Sequence, residues 1–116
     1  MLNLLEQNIV KYPEFKFSLS ITGTWLEQAE KWEPALIRQI HRMVKTGQVE
    51  IVSETYYHSL SFFDNRDEFA TQVKLHTLKI QKLFGVTPRV FRNTELAYNN
   101  ELAHWAESEG YKGILA

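Results

Sequence analysis

The sequence contains no cysteine, and this absence excludes three kinds of chemistry. Without thiols there is no disulfide framework, no thiolate metal site and no cysteine nucleophile. There is also no apolar run that approaches the ~18 residues of a membrane-spanning helix. The first residues, Met1 to Glu6, lack the basic region and the cleavage site of a signal peptide. We therefore predict a soluble, cytoplasmic chain with no membrane partner.

An excess of charge of one sign is missing as well. Lys and Arg total 13 and Asp and Glu total 14, so the formal net charge is −1 with neutral histidines. This balance argues against a nucleic-acid partner, which a basic patch would hold. Hydrophobic residues make up 44% and charged residues 23% of the 116 positions, as is usual for one globular domain or part of one.

Helical and strand patterns alternate along the chain. The strand patterns are four, namely Phe15–Ile21, Val49–Val52, Arg89–Arg92 and Lys112–Leu115. The helical patterns are Leu2–Tyr12, two stretches divided near Pro34, Asp67–Phe84 and Asn99–Glu109. Thr24 and Glu27 fit a capping box at the start of the second helical stretch.

This alternation predicts an α/β fold with a parallel sheet. A strand that is followed by a helix and then a strand returns to the same end of the sheet, so the strands run parallel. Parallel sheets need cover on both faces or closure into a barrel, and four strands are too few to close one. We therefore expect about four parallel strands with intervening helices, as a slice of a larger (β/α) barrel or open α/β domain.

The candidate functional residues follow the predicted strands. In parallel α/β folds, ligands bind at the carboxyl ends of the strands, where this sequence has Glu54, His58 and Glu95. Other roles stay open for each of them. Glu95 could be an exposed loop carboxylate near a helix start, His58 a structural histidine, and Glu54 the partner of Arg92 or Arg89. No two helical histidines have the spacing of a metal site, so we predict no metal.

Several stretches resemble glycoside hydrolase family 57. Gly47–Val52 is similar to the second conserved region of that family, and Phe91–Leu96 is similar to the third in its α-amylase-like members. Three further stretches resemble the same subgroup, namely Glu54–Leu60, Phe84–Pro88 and Gly110–Leu115. The FRNTEL string is specific, whereas GQVEIV alone would be weak. The likeness covers nearly the whole chain, so residues 1–116 are expected to form part of an N-terminal catalytic domain.

The resemblance implies an incomplete barrel of seven strands that acts with retention on α-glucans, without a cofactor. The Glu of the third region is the nucleophile of the family, and this position is Glu95 here. The first region, a His-Gln-Pro string, and the fourth region, whose Asp is the general acid/base, are absent from these residues. The resemblance therefore implies an α-amylase or 4-α-glucanotransferase activity of a longer parent, with the remainder of the barrel as partner, and an inactive isolated segment.

We expect the other polar residues of this rim to contact an α-glucan or maltooligosaccharide. The expected substrate-binding residues are His58, Tyr57, Glu54, Asn93 and Arg92. Arg92 and Asn93 could instead favour the charged form of Glu95 or position it, and Arg92 could point into the helix layer. Two other functions stay open, namely a non-catalytic glucan-binding member and a metal-dependent deacetylase with a related barrel.

Overall fold

Four short parallel strands and five helices make up the fold. The computed structural model describes all residues from Met1 to Ala116. The helices are α1 (Leu2–Lys11), α2 (Gly23–Trp32), α3 (Pro34–Lys45), α4 (Arg66–Phe84) and α5 (Asn100–Ser108). The strands are β1 (Phe17–Leu19), β2 (Val49–Ile51), β3 (Val90–Arg92) and β4 (Gly113–Leu115). This confirms the predicted mixed α/β class and the alternation of elements.

The strands pair in two parallel ladders that one bridge joins. Strand β1 pairs with β2, and β3 pairs with β4. Ser53, just after β2, forms a parallel bridge with Phe91. The Ser53 N–H donates to the Val90 carbonyl at 2.8 Å, and the Arg92 N–H donates to the Ser53 carbonyl at 2.8 Å. The spatial order is therefore β1, β2, β3, β4, and all four carboxyl ends lie at one edge.

Helices cover one face of this arrangement. Val49 and Ile51 of β2 are buried in a core with residues of α1 to α4, and Phe17 and Leu19 of β1 pack against it. A second core holds Phe91 of β3 together with residues of α4 and α5. Because side chains alternate along a strand, the residues between these positions face away from the helices. No helix combines the length and the apolar character that a membrane span requires.

Two predicted local features differ from the structure. The first ladder covers only Phe17–Leu19, although Phe15 and Ile21 do pack against the core. The predicted N-cap at Thr24 is wrong. Helix α2 begins at Gly23, and the Thr22 Oγ1 accepts a hydrogen bond from the Trp25 N–H at 3.1 Å, so Thr24 lies inside the first turn.

Candidate functional site

Glu95 lies in a single helical turn directly after β3. The turn covers Thr94–Leu96, and Glu95 and Leu96 both adopt left-handed backbone angles, with φ of 57° and 56°. Such angles are uncommon for residues other than glycine and persist where the surroundings enforce them. Asn93 does so here, because its Nδ2 donates to the Ala97 carbonyl at 3.1 Å across the turn. The Glu95 side chain consequently projects outwards and is 74% exposed.

The loop after β2 brings His58 to Glu95. The Nε2 of His58 lies 3.1 Å from Oε1 of Glu95, and His58 also has a left-handed backbone, with φ of 56°. The two loops are tied together beneath this pair. Thr55 Oγ1 accepts from the Ser59 N–H at 2.8 Å and lies 3.2 Å from Thr94 Oγ1. His58 is therefore an exposed partner of Glu95, and the structure assigns it no buried structural role.

Glu54 and Arg92 meet at the same edge of the sheet. Glu54 is 4% exposed, and the Ser20 hydroxyl donates to its Oε2. Nη1 of Arg92 lies 3.2 Å from Ser20 Oγ and 3.9 Å from Glu54 Oε2. Of the two open partners of Glu54, it is therefore Arg92 that the structure places beside it. Since Phe91 faces the helix-covered core, Arg92 faces away from it, and the alternative that Arg92 points into the helix layer is wrong.

Tyr56 and Tyr57 turn towards the helices. The Tyr56 hydroxyl donates to Glu27 at 2.6 Å. Burial raises the pKa of Tyr56 above its ordinary value, and the hydrogen bond to Glu27 raises it further. The Tyr57 ring packs edge-on against Tyr56 at 4.8 Å and, with Leu75 and Leu78 of α4, lines a groove of about 300 Å³. The structure therefore does not bring the Tyr57 ring to the pair of His58 and Glu95.

Asn93 also lies away from the surface. It is completely buried beneath the Glu95 turn, and its Oδ1 has no hydrogen-bond partner. Its amide group bonds within the loop and is not presented at the carboxyl ends of the strands. No cluster of three or more His, Asp or Glu side chains could hold a metal ion.

Sequence reasoning missed Ser20 and the link between Thr55 and Thr94. The strand alternation placed Phe15, Phe17 and the later apolar residues on one face, and the same alternation puts Ser20 on the other face. That signal was available, because Ser20 lies at the end of the first strand pattern. The link between Thr55 and Thr94 joins residues 39 positions apart, and no sequence spacing signals it.

Known proteins resemble this chain in sequence and in fold. The family model for glycosyl hydrolase family 57 matches residues 1–116. A protein of Methanocaldococcus jannaschii named "Putative alpha-amylase" is 41% identical over 114 residues, which are 97% of this chain and 24% of that protein. This chain therefore spans about a quarter of the length of that relative.

Two solved structures share the fold. The 4-alpha-glucanotransferase from Thermococcus litoralis matches 94% of this chain and 17% of its own, with a TM-score of 0.81 and 22% identity. A family 4 carbohydrate esterase from Streptomyces lividans matches 97% of this chain and 52% of its own, with a TM-score of 0.70 and 20% identity. At these identities the likeness concerns the fold alone. The match of the family model to every residue shows that the chain belongs to glycosyl hydrolase family 57.

Proposed function

We propose that this chain is part of a retaining glycoside hydrolase that acts on α-glucans, with Glu95 as its nucleophile. The observation that carries the proposal is the exposed Glu95 carboxylate, held beside His58 at the carboxyl end of β3. Membership of family 57 and the amylase and glucanotransferase names of similar proteins support this substrate class. A (β/α)7-type incomplete barrel, completed by a remainder outside residues 1–116, is the corresponding architecture.

The proposed reaction has two displacements. Glu95 attacks the anomeric carbon and forms a glycosyl-enzyme, while the leaving oxygen takes a proton from a second carboxylic acid. That second carboxyl group, now ionised, then removes a proton from water or from a sugar hydroxyl. The oxygen of that water or hydroxyl attacks the anomeric carbon and releases Glu95 as a carboxylate. Retention requires the two carboxyl groups about 5–5.5 Å apart. The second group belongs to the remainder of the domain, so an activity is proposed only for the longer protein.

The neighbouring residues have separate proposed roles. His58 holds one oxygen of Glu95 and binds a sugar hydroxyl, and Arg92 donates to the sugar from the open face of the sheet. Glu54 is buried beside Arg92, so it acts on the sugar only through Arg92. Asn93 positions the turn of Glu95 from below. A contact of Tyr57 with the substrate stays a prediction, and its ring lines the groove on α4 rather than lying beside His58 and Glu95. A cytoplasmic location stays a prediction.

The test is Glu95→Gln in the full-length protein. We expect the turnover of maltooligosaccharides to fall by at least about a thousandfold, because the amide cannot form the glycosyl-enzyme. Glu101→Gln is the matched control, since the Glu101 side chain is equally exposed, at 74%, and lies on α5 in contact with Arg66. It should keep the activity of the unmodified protein.

Azide separates a nucleophile from a residue that only binds. In the variant Glu95→Gly, azide should attack the anomeric carbon from the vacated side and yield a β-glycosyl azide. Undiminished turnover by Glu95→Gln would remove Glu95 as the nucleophile. Glucan binding by the unmodified protein without any turnover would instead support the non-catalytic alternative.

A further inference from the structure

Three neighbouring strands each contribute one side chain to a polar cluster on the open face of the sheet. Ser20 follows β1, Glu54 follows β2, and Arg92 ends β3. The Ser20 hydroxyl donates to Glu54 and accepts from Nη1 of Arg92 at 3.2 Å. The same nitrogen lies 3.9 Å from Oε2 of Glu54. The cluster therefore links the carboxyl ends of three strands through one hydroxyl group.

The burial of Glu54 shows that this cluster is a built feature. Its side chain is 5% exposed, and a carboxylate taken out of water is stable only when hydrogen bonds and an opposite charge compensate it. Ser20 supplies the hydrogen bond and Arg92 supplies the charge. The Arg92 side chain keeps 27% of its surface exposed, and only Nη1 is engaged within the chain. The other guanidinium N–H groups therefore remain available to a ligand.

Arg92 is also close to Glu95 along the chain. It is the last residue of β3, and Glu95 follows three residues later in the turn that Asn93 holds. A guanidinium group recognises two neighbouring acceptor oxygens well when its plane is fixed in advance. A long, unfixed arginine would have to lose its side-chain freedom each time a sugar binds.

We propose that Ser20 and Glu54 are positioning residues that hold Arg92 ready to donate to the hydroxyl groups of the glucose unit that Glu95 attacks. This inference rests on the proposed function, because it assigns a role beside the same carboxylate. Ser20 does not touch the sugar in this arrangement. It acts only through Arg92, and its effect must disappear when Arg92 is absent.

The experiment is a double-mutant cycle in the full-length protein. Ser20→Ala should lower kcat/KM for a maltooligosaccharide by about 10- to 100-fold, since small misplacements in an active site have effects of this size. Ser20→Thr keeps the hydroxyl group and should recover most of the loss. In the Arg92→Ala background, Ser20→Ala should change kcat/KM less than twofold, because the residue through which it acts is gone.

Ser18→Ala is the matched control. Ser18 lies within β1, two residues before Ser20, and the alternation of side chains puts it on the same face of the sheet. Its substitution should leave kcat/KM unchanged. Glu54→Gln keeps an acceptor for Ser20 but loses the charge, so it provides a second variant with the same expected dependence on Arg92. A merely structural role of Ser20 would lower the activity equally in both backgrounds.

Two results would overturn the inference. One is a Ser20→Ala variant whose kcat/KM equals that of Ser18→Ala, and the other is an equal loss with and without Arg92. Either result, found together with an inactive Glu95→Gln variant, removes the role of Ser20 and leaves the proposed function intact. An active Glu95→Gln variant would instead show that Glu95 is not the nucleophile. The glucose unit would then have no assigned position beside Arg92, and this inference would lose its basis.

Discussion

Individual residues in the loops at the carboxyl ends of the strands adopt backbone conformations that their side chains disfavour. His58, Glu95 and Leu96 are the residues other than glycine with positive φ, and all three lie in the two loops that carry the candidate site. Each such residue costs on the order of 1–3 kcal/mol, which the surrounding contacts must offset. The Asn93 amide and the link between Thr55 and Thr94 are those contacts.

Gly23, the first residue of α2, shows how closely this helix packs against the loop after β2. A Cβ on Gly23 would collide with the ring of Tyr56. We expect Gly23→Ala in the full-length protein to lower the free energy of unfolding by about 1–3 kcal/mol, because the ring must move and strain its hydrogen bond to Glu27. Urea unfolding measures the change. Gly113→Ala is the control, since a Cβ there meets nothing within 4 Å. Equal stability of the two variants would contradict the prediction.

Among the elements, α4 is anchored to the end of β1 by a buried histidine. His76 is completely buried, and its Nε2 donates to the Ile21 carbonyl at 2.7 Å. This bond places the proton of the neutral ring on Nε2 and leaves a buried Nδ1 without a partner. Burial lowers the pKa of His76, although the nearby Glu54 carboxylate acts in the opposite direction. The histidine therefore stays neutral in the folded chain.

This anchor makes the stability depend on pH. Below the ordinary histidine pKa of 6.5, His76 binds a proton in the unfolded chain but not in the folded chain. The contribution of His76 is therefore fully present above pH 6.5 and is lost as the pH falls from there towards the lowered pKa of the folded state. The free energy of unfolding changes with pH through His76 by at most about 1.4 kcal/mol per pH unit.

Urea unfolding of the full-length protein at pH 7.5 and pH 5.5 measures this dependence. The unmodified protein should lose more stability between the two values than its His76→Gln variant, which keeps a side-chain N–H donor but does not titrate. His41→Gln is the control, because His41 also lies on a helix but is only half-buried. The prediction is contradicted if His76→Gln and the unmodified chain lose the same amount.

At the scale of the whole molecule, one helix joins two cores. Ile80 and Phe84 of α4 belong to the core behind β1 and β2, whereas Phe69 and Val73 belong to the core behind β3. The residues of β1 and β2 that face away from these cores, Ser18 and Glu50, are exposed, and β1 and β4 are the edge strands of the joined ladders. Strand edges and uncovered sheet faces are surfaces on which chains associate.

We therefore expect the isolated 116-residue chain to associate and to show no glucan turnover. Sedimentation velocity should detect oligomers, and Leu115→Lys should shift them towards the monomer, because Leu115 is 45% exposed on edge strand β4 and a lysine there opposes strand pairing. Leu78→Lys is the control: Leu78 is 50% exposed and lines the groove on α4 beside Tyr57, so its replacement removes exposed apolar surface away from the strand edges and should not change the distribution. A monomer that turns over maltooligosaccharides would contradict both expectations.

Local patterns predicted the elements well and their exact ends less well. The predicted bounds of the five α-helices and four strands agree with the structure to within a few residues. They rested on the alternation of apolar residues, on the proline near the start of α3 and on the glycine after α4. The cap of α2 was wrong, because Thr22 and Thr24 both precede an apolar helical pattern, and only the position of the Trp25 N–H distinguishes them. The strand length was also not predictable, because the apolar alternation continues past the paired residues: Phe15 and Ile21 pack against the core but lie outside the ladder.

The sequence by itself determined the family and the α/β order, and it placed Glu54, His58 and Glu95 after strands whose carboxyl ends share one edge. These features depend on residue types and on spacing over a few positions. Only the tertiary structure decided that His58 contacts Glu95, that Ser20 joins Glu54 to Arg92, and that Tyr57 turns to α4. Those contacts join residues of separate loops, strands and helices, and their geometry depends on how the sheet and the helices pack.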